Sequence, residues 1–148
     1  MNKIRQATAE DAHRIAEIIV FNYRLNFYPI FKSDEFYFGQ MQVKNLAEEY
    51  MNENALKNTF VYDDGVIKGV IDIEGKEIKR LFVEPVLQSC GIGKVLLGYA
   101  VEKCGATFLW ALEKNTRAIE FYTKNGFLKL RERKYEEDTT EYLIKLTI

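Results

Sequence analysis

The period and order of the apolar residues predict an α+β fold: a mixed, mostly antiparallel central sheet of about seven strands flanked by about four helices. Three observations carry this. Residues 59–83 alternate with a period of two and are broken by glycine-containing turns. A helix-period stretch sits between the apolar strands 77–83 and 107–112, which makes a strand–helix–strand crossover. Two further strands close the chain around an acidic turn.

Residues 4–7 read as a short first strand. Thr8 caps the helix that follows, with Asp11 three residues on as its capping-box partner. Ala12, Ile15, Ala16, Ile19 and Tyr23 then share one helix face, and Pro29 marks the end of that helix. Ser33 caps a second helix that places Val43, Leu46, Ala47 and Tyr50 on one face. Strands at 59–62 and 66–74 are joined by Asp63-Asp64-Gly65, and Gly75 turns the chain into Glu77–Val83. A helix over 93–103 places Val95, Leu96, Tyr99 and Ala100 inward. Strand 107–112 leads to helix Thr116–Lys124, stopped by Asn125-Gly126. Strands 127–135 and 141–147 flank Glu136-Glu137-Asp138, which reads as a solvated hairpin tip.

The 148 residues suffice for one domain over 1–148 with a real core. A net charge of -1, from 21 basic and 22 acidic side chains, argues against a nucleic-acid partner. No apolar run approaches the ~20 residues a spanning helix needs, so no membrane partner is expected. Met1 to Gln6 carry no apolar signal core, and Cys90 and Cys104 form no disulfide framework, so the expected location is cytoplasmic. One histidine, His13, and two cysteines at no ligand spacing give no metal site.

Chemistry concentrates after the strand ending Leu81-Phe82-Val83. There Gln88-Ser89-Cys90-Gly91-Ile92-Gly93-Lys94 opens a helix on two glycines, an arrangement suited to phosphate. A third glycine or alanine three residues on would mark a dinucleotide loop, but Leu96 stands there; the nucleotide-loop G-x-x-x-x-G-K-[ST] pattern is absent as well. A second stretch runs Leu109-Trp110-Ala111-Leu112-Glu113-Lys114-Asn115, then Ala118, Phe121-Tyr122 and Asn125-Gly126-Phe127. Together the two stretches resemble the signatures of the GNAT N-acetyltransferase superfamily, and the element order agrees over nearly the whole chain.

The resemblance implies the GNAT acyl-CoA N-acyltransferase fold and direct acetyl transfer from acetyl-CoA to the primary amine of a small molecule or peptide. A non-catalytic acyl-CoA sensor on the same fold is the alternative. It implies that residues 88–94 hold the pyrophosphate through backbone N–H groups, with Lys94 compensating for Cys90 where a basic residue is common. Leu81, Phe82 and Val83 would offer backbone groups to the pantetheine arm and thioester, at a strand that splays from its parallel neighbour. Tyr122 would protonate the departing thiolate, against a reading as core packing. Asn115 would contact the cofactor arm or cap its helix. Glu77 is the matching position for a general base; it shares a face with Leu81 and Val83 unless a bulge shifts the phase. Asp72 and Glu74 are its rivals, and a water chain is the fourth option. Tyr23, Phe27 and Tyr28 are the aromatic candidates for the acceptor wall, within a run that otherwise packs over the sheet. A homodimer through sheet edges or late strands also fits the resemblance.

Overall fold

The computed structural model describes residues 3–148. Its strands are β1 (Ile4–Gln6), β2 (Thr59–Asp63), β3 (Ile67–Glu74), β4 (Glu77–Val83), β5 (Phe108–Leu112), β6 (Leu128–Tyr135) and β7 (Tyr142–Thr147). Its helices are α1 (Ala12–Asn26), α2 (Tyr28–Phe31), α3 (Val43–Glu49), α4 (Glu53–Leu56), α5 (Ile92–Cys104) and α6 (Thr116–Lys124). One sheet has the order β1-β2-β3-β4-β5-β7-β6. Every neighbouring pair is antiparallel except β4 and β5, which are joined through α5 and run parallel.

Two apolar layers cover the sheet. Ile15, Ile19, Leu46, Val61 and Val70 join α1 and α3 to one face. Ile71, Leu96, Ala100, Leu109, Phe127 and Leu146 join α5 and the strands on the other.

The expected second helix is divided. Pro29 sits in the first turn of α2, where its missing N–H costs nothing. A π-helical turn, Glu35–Gln40, then precedes α3. In α5 the inward set is Ile92, Leu96, Leu97 and Ala100, whereas Val95 is 49% exposed. The helix starts at Ile92, and its apolar stripe follows that residue rather than Val95.

The first turn is held as its sequence suggests. Asp11 accepts a hydrogen bond from the Thr8 N–H (2.8 Å) and a two-pronged contact from Arg5 Nη1 (2.7 Å) and Nη2 (3.0 Å). The Arg5 hydrogen bond holds the Asp11 carboxyl below the usual carboxylate range. A lowered folded-state pKa stabilises the fold above the ordinary aspartate value and loses that contribution as pH falls through the folded value. Arg5→Gln is therefore expected to move acid unfolding to higher pH. Because Arg5 is partly exposed, its loss at neutral pH should be no more than about 1 kcal/mol, read from denaturant curves at two pH values.

The feature that makes a site is the divergence of β4 from β5. Their ladder holds only Glu77 with Phe108 and Ile78 with Leu109. Just beyond, Asp72 pairs with Arg80 while Ile73 pairs with Ile78, so Lys79 is an extra residue on β4. Such a bulge bends its strand and ends local pairing. From Arg80 to Val83, the β4 edge facing β5 has no strand partner among the described residues.

Candidate functional site

A cleft of about 1250 Å³ occupies the opening between the two strands. Arg80, Leu81 and Phe82 form one wall, and Trp110, Ala111 and Leu112 form the other. Asn115, Ala118 and Tyr122 reach it from α6, while Tyr23, Phe27, Phe31 and Tyr37 roof it.

Beyond the end of β4, a short 3-10 turn, Pro85–Leu87, leads to Gln88 and then to α5. Ser89 takes φ 69° and Gly91 takes φ 87°, a left-handed pair that winds the backbone into a concave turn. From Ser89 through Lys94, no backbone N–H has an acceptor among the described residues. Some of these are the orphan donors of a helix start; the rest come from the loop. Gly91 is the N-cap of α5, and no side chain caps that end. Lys94 is exposed and makes no ion pair among the described residues. A run of converging donors at a helix N-terminus with a nearby ammonium fits a phosphate group.

The two glycines have different reasons. Gly91 needs its left-handed backbone; a Cβ there would meet nothing within 4 Å. A Cβ on Gly93 would meet the Phe121 ring at 3.3 Å and Val83 at 3.7 Å. Gly93 thus lets α6 close on α5, rather than clearing space for a ligand. Gly91→Val is expected to cost about 1–2 kcal/mol of stability through backbone strain and to weaken acetyl-CoA binding, measured by thermal unfolding and by KM.

Gln88 turns inward. Its Nε2 donates to Asn22 Oδ1 (2.9 Å) and, at 3.4 Å, to the Val83 carbonyl. Asn22 is 1% exposed, and its Nδ2 donates to the carbonyls of Ile18 (2.8 Å) and Val83 (2.9 Å). This clamp joins α1, the end of β4 and the start of the amide cradle. It also occupies the Val83 carbonyl, so the Val83 N–H is the backbone group of that residue left facing β5. Asn22 was not among the candidates from sequence. Its signal was a polar residue four positions after Ile18 and three after Ile19, on an apolar helix face.

Tyr122 is 8% exposed, with its ring between Phe121 and Phe127. Its hydroxyl has no hydrogen-bond partner among the described residues, yet no buried side-chain oxygen there lacks one, so the oxygen is not sealed from the cleft. Burial pushes its pKa well up, which keeps the phenol protonated at neutral pH. Asn115 caps α6 by accepting from the Ala118 N–H (3.3 Å), and it lines the cleft as well. Cys90 and Cys104 are both free thiols, and Cys90 is exposed on the cradle.

The carboxylates expected to act as base do not reach the cleft. The bulge at Lys79 inverts the face: Ile78, not Glu77, packs on the side of Leu81 and Val83. Glu77 lies outside the cleft, directly across from Glu74, with Lys79 Nζ at 3.7 Å. Glu74 is exposed at the hairpin and does not line the cleft. Asp72 is turned into the α3 layer, where it accepts from Tyr50 Oη and from Thr59 Oγ1 (2.7 Å). Among the aromatic candidates, Tyr23 and Phe27 line the cleft, packed on each other at 4.9 Å and on Phe82. Tyr28 does not; its hydroxyl donates to Asp34 (2.6 Å) and its ring packs on Tyr37 and Phe38. The β6–β7 turn keeps Glu137 and Asp138 exposed, as expected of a solvated tip, and with Glu136 it also lines the cleft.

Comparison with known proteins agrees with this architecture. The family model described as an acetyltransferase (GNAT) domain matches residues 8–143. The peptidyl-lysine N-acetyltransferase YjaB of Escherichia coli is 32% identical over 59 residues, 40% of this chain and 40% of that protein. The ribosomal protein bS18-alanine N-acetyltransferase of Haemophilus influenzae is 28% identical over 101 residues, 66% of this chain and 67% of that protein. Matches to the peptidyl-lysine acetyltransferases YjaB and YiaC of E. coli thus span less than half of either relative, at 40% and 45%. Among solved structures, PaiA N-acetyltransferase from Thermoplasma acidophilum in complex with coenzyme A superposes with a TM-score of 0.75 at 22% identity, covering 100% of both chains. Apo YjaB from E. coli superposes with a TM-score of 0.74, also at 22% identity, over 97% of this chain and 95% of that one. These two structures speak for the fold alone. The family match runs from the first helix turn into the last strand, and on that basis the chain belongs to the acetyltransferase (GNAT) domain family.

Proposed function

We propose that the protein is an acetyl-CoA-dependent N-acetyltransferase acting on a primary amine. The observation that carries this is the continuity of the site. An amide cradle fit for pyrophosphate opens into a strand gap lined by a tyrosine hydroxyl that has no hydrogen-bond partner among the described residues. The named activities of the relatives and the coenzyme A in the T. acidophilum neighbour support the same reading.

Acetyl-CoA supplies the activated acetyl group as a thioester. Residues 89–94 bind its pyrophosphate through backbone N–H groups, assisted by Lys94. The edge of β4 that faces the gap, with the N–H groups of Leu81 and Val83, orients the arm and polarises the carbonyl oxygen through backbone donors. Tyr122 gives its proton to the departing thiolate. The amine proton leaves toward the β6–β7 turn, where the carboxylates of Glu137 and Asp138 have no hydrogen-bond partner among the described residues. In this reading the β6–β7 turn, directly or through a water, takes the role of base in place of Glu77.

The test is thiol release from acetyl-CoA with a panel of amines and lysine-containing peptides, alongside calorimetric binding of CoA. Acetylation of at least one acceptor is expected. Tight CoA binding with no release for any acceptor would convert the reading to an acyl-CoA sensor, and absence of CoA binding would sink both.

A further inference from the structure

The acceptor side of the cleft holds a guanidinium that acetyl transfer itself does not use. Arg80 lies opposite Asp72 in the β3–β4 ladder, on the face covered by α1 and α3. Its Nε donates to Tyr23 Oη (3.1 Å), and its Nη1 donates to Tyr50 Oη (2.8 Å) and to Glu49 at 3.5 Å. Nη2 has no acceptor among the described residues. The side chain is 23% exposed and lines the cleft. Two tyrosine hydroxyls therefore hold the plane of the guanidinium while one of its edges stays open.

The charge of Arg80 is only partly compensated. The Asp72 carboxylate is 3.6 Å away, but the hydroxyls of Tyr50 and Thr59 already share it. Burial pushes the Asp72 carboxyl up, weakening its charged form, whereas a guanidinium keeps its proton. Glu49 is 59% exposed, so water screens its pull. The cleft is also lined by Glu137 and Asp138, exposed carboxylates of the β6–β7 turn with no ion pair among the described residues. The cleft is dipolar, with a fixed cation on the β4 wall and anions on the rim formed by that turn.

We propose that the acceptor is a small amino acid-type molecule whose carboxylate is bound by the open Nη2 edge of Arg80, while its amine faces the acidic rim and the strand gap. A simple amine would satisfy the rim and leave the Arg80 edge without a partner. A charge-assisted hydrogen bond in a half-enclosed site contributes about 1.5–3 kcal/mol, which is at least about tenfold in affinity. The chemistry performed on the bound molecule rests on the acetyl-transfer reading; the carboxylate preference does not.

The experiment is calorimetric titration of the CoA-loaded protein with matched sets: an amino acid, its decarboxylated amine and its carboxamide, using lysine, phenylalanine and β-alanine as parents. At least one amino acid is expected to bind about tenfold or more tightly than both of its counterparts. Arg80→Gln should bring it down to their level. Arg80→Lys keeps the charge but not the fork held by Tyr23 and Tyr50, and should lose most of the preference. If Arg80→Gln does not fold, Arg80→Lys and the wild-type comparison still decide. Equal affinity within every set, no binding from any set, or a preference that survives both variants would overturn the proposal. Amino acid binding without thiol release would sink acetyl transfer and keep the carboxylate site. Thiol release with amines and carboxamides as readily as with amino acids would do the reverse.

Discussion

Tyr122→Phe is expected to lower acceptor-saturated turnover by about 10²-fold or more, with acetyl-CoA affinity changed by no more than a few-fold. The phenol is neutral at neutral pH, burial raises its pKa further, and its oxygen has no partner among the described residues that a phenylalanine would strand. The ring contacts with Phe121 and Phe127 survive the change, so the fold should lose less than about 0.5 kcal/mol. The proposed binding determinants at residues 89–94 lie on a different element. A stopped-assay rate of thiol release, paired with calorimetric CoA binding, separates the two effects. Wild-type turnover in this variant would remove Tyr122 from proton transfer and return it to core packing.

Asn22→Leu should damage the site from below it. The variant removes the donor to the Val83 carbonyl and the acceptor for Gln88 Nε2, at a position 1% exposed. Leaving buried polar groups unsatisfied costs about 1–3 kcal/mol, so a stability loss of about 2 kcal/mol is expected in denaturant unfolding. Of the clamp, only the Gln88 contact to the Val83 carbonyl at 3.4 Å would then remain. The KM for acetyl-CoA should rise about tenfold, well beyond any change in acceptor KM, which a purely structural defect would not select. Adding Gln88→Ala to Asn22→Leu should cost less than the sum of the two single losses, because the Asn22–Gln88 hydrogen bond is then counted once. Fully additive losses, or equal shifts in both KM values, would count against the clamp.

Glu77 and Asn22 mark the limits of the sequence in opposite ways. Glu77 has the spacing of a base, but one inserted residue at Lys79 moves it to the wrong face. A strand alternates with a period of two, so a single bulge inverts every assignment on one side of it. Nothing local in Glu77–Val83 announces that bulge. Asn22 was legible as a misfit on an apolar stripe, yet its partners lie 61 and 66 positions away. The acidic turn was found as a turn, while its position over the cleft follows from β7 pairing with β5 and not with β4.

What the sequence alone determined are features set within a few residues. They include the period of most elements, the glycine opening of α5, Asn115 as a candidate cap, the stop at Asn125-Gly126 and the two motifs that resemble the family. Each depends on backbone sterics or on a hydrogen bond to a near neighbour in the chain, so the residue type is nearly sufficient. Only the tertiary structure decided which charged groups meet: Arg80 and the β6–β7 turn inside the cleft, with Glu77, Glu74 and Asp72 outside it. That choice turns on where β4 leaves β5 and on which face each residue then presents, both products of pairing between distant strands.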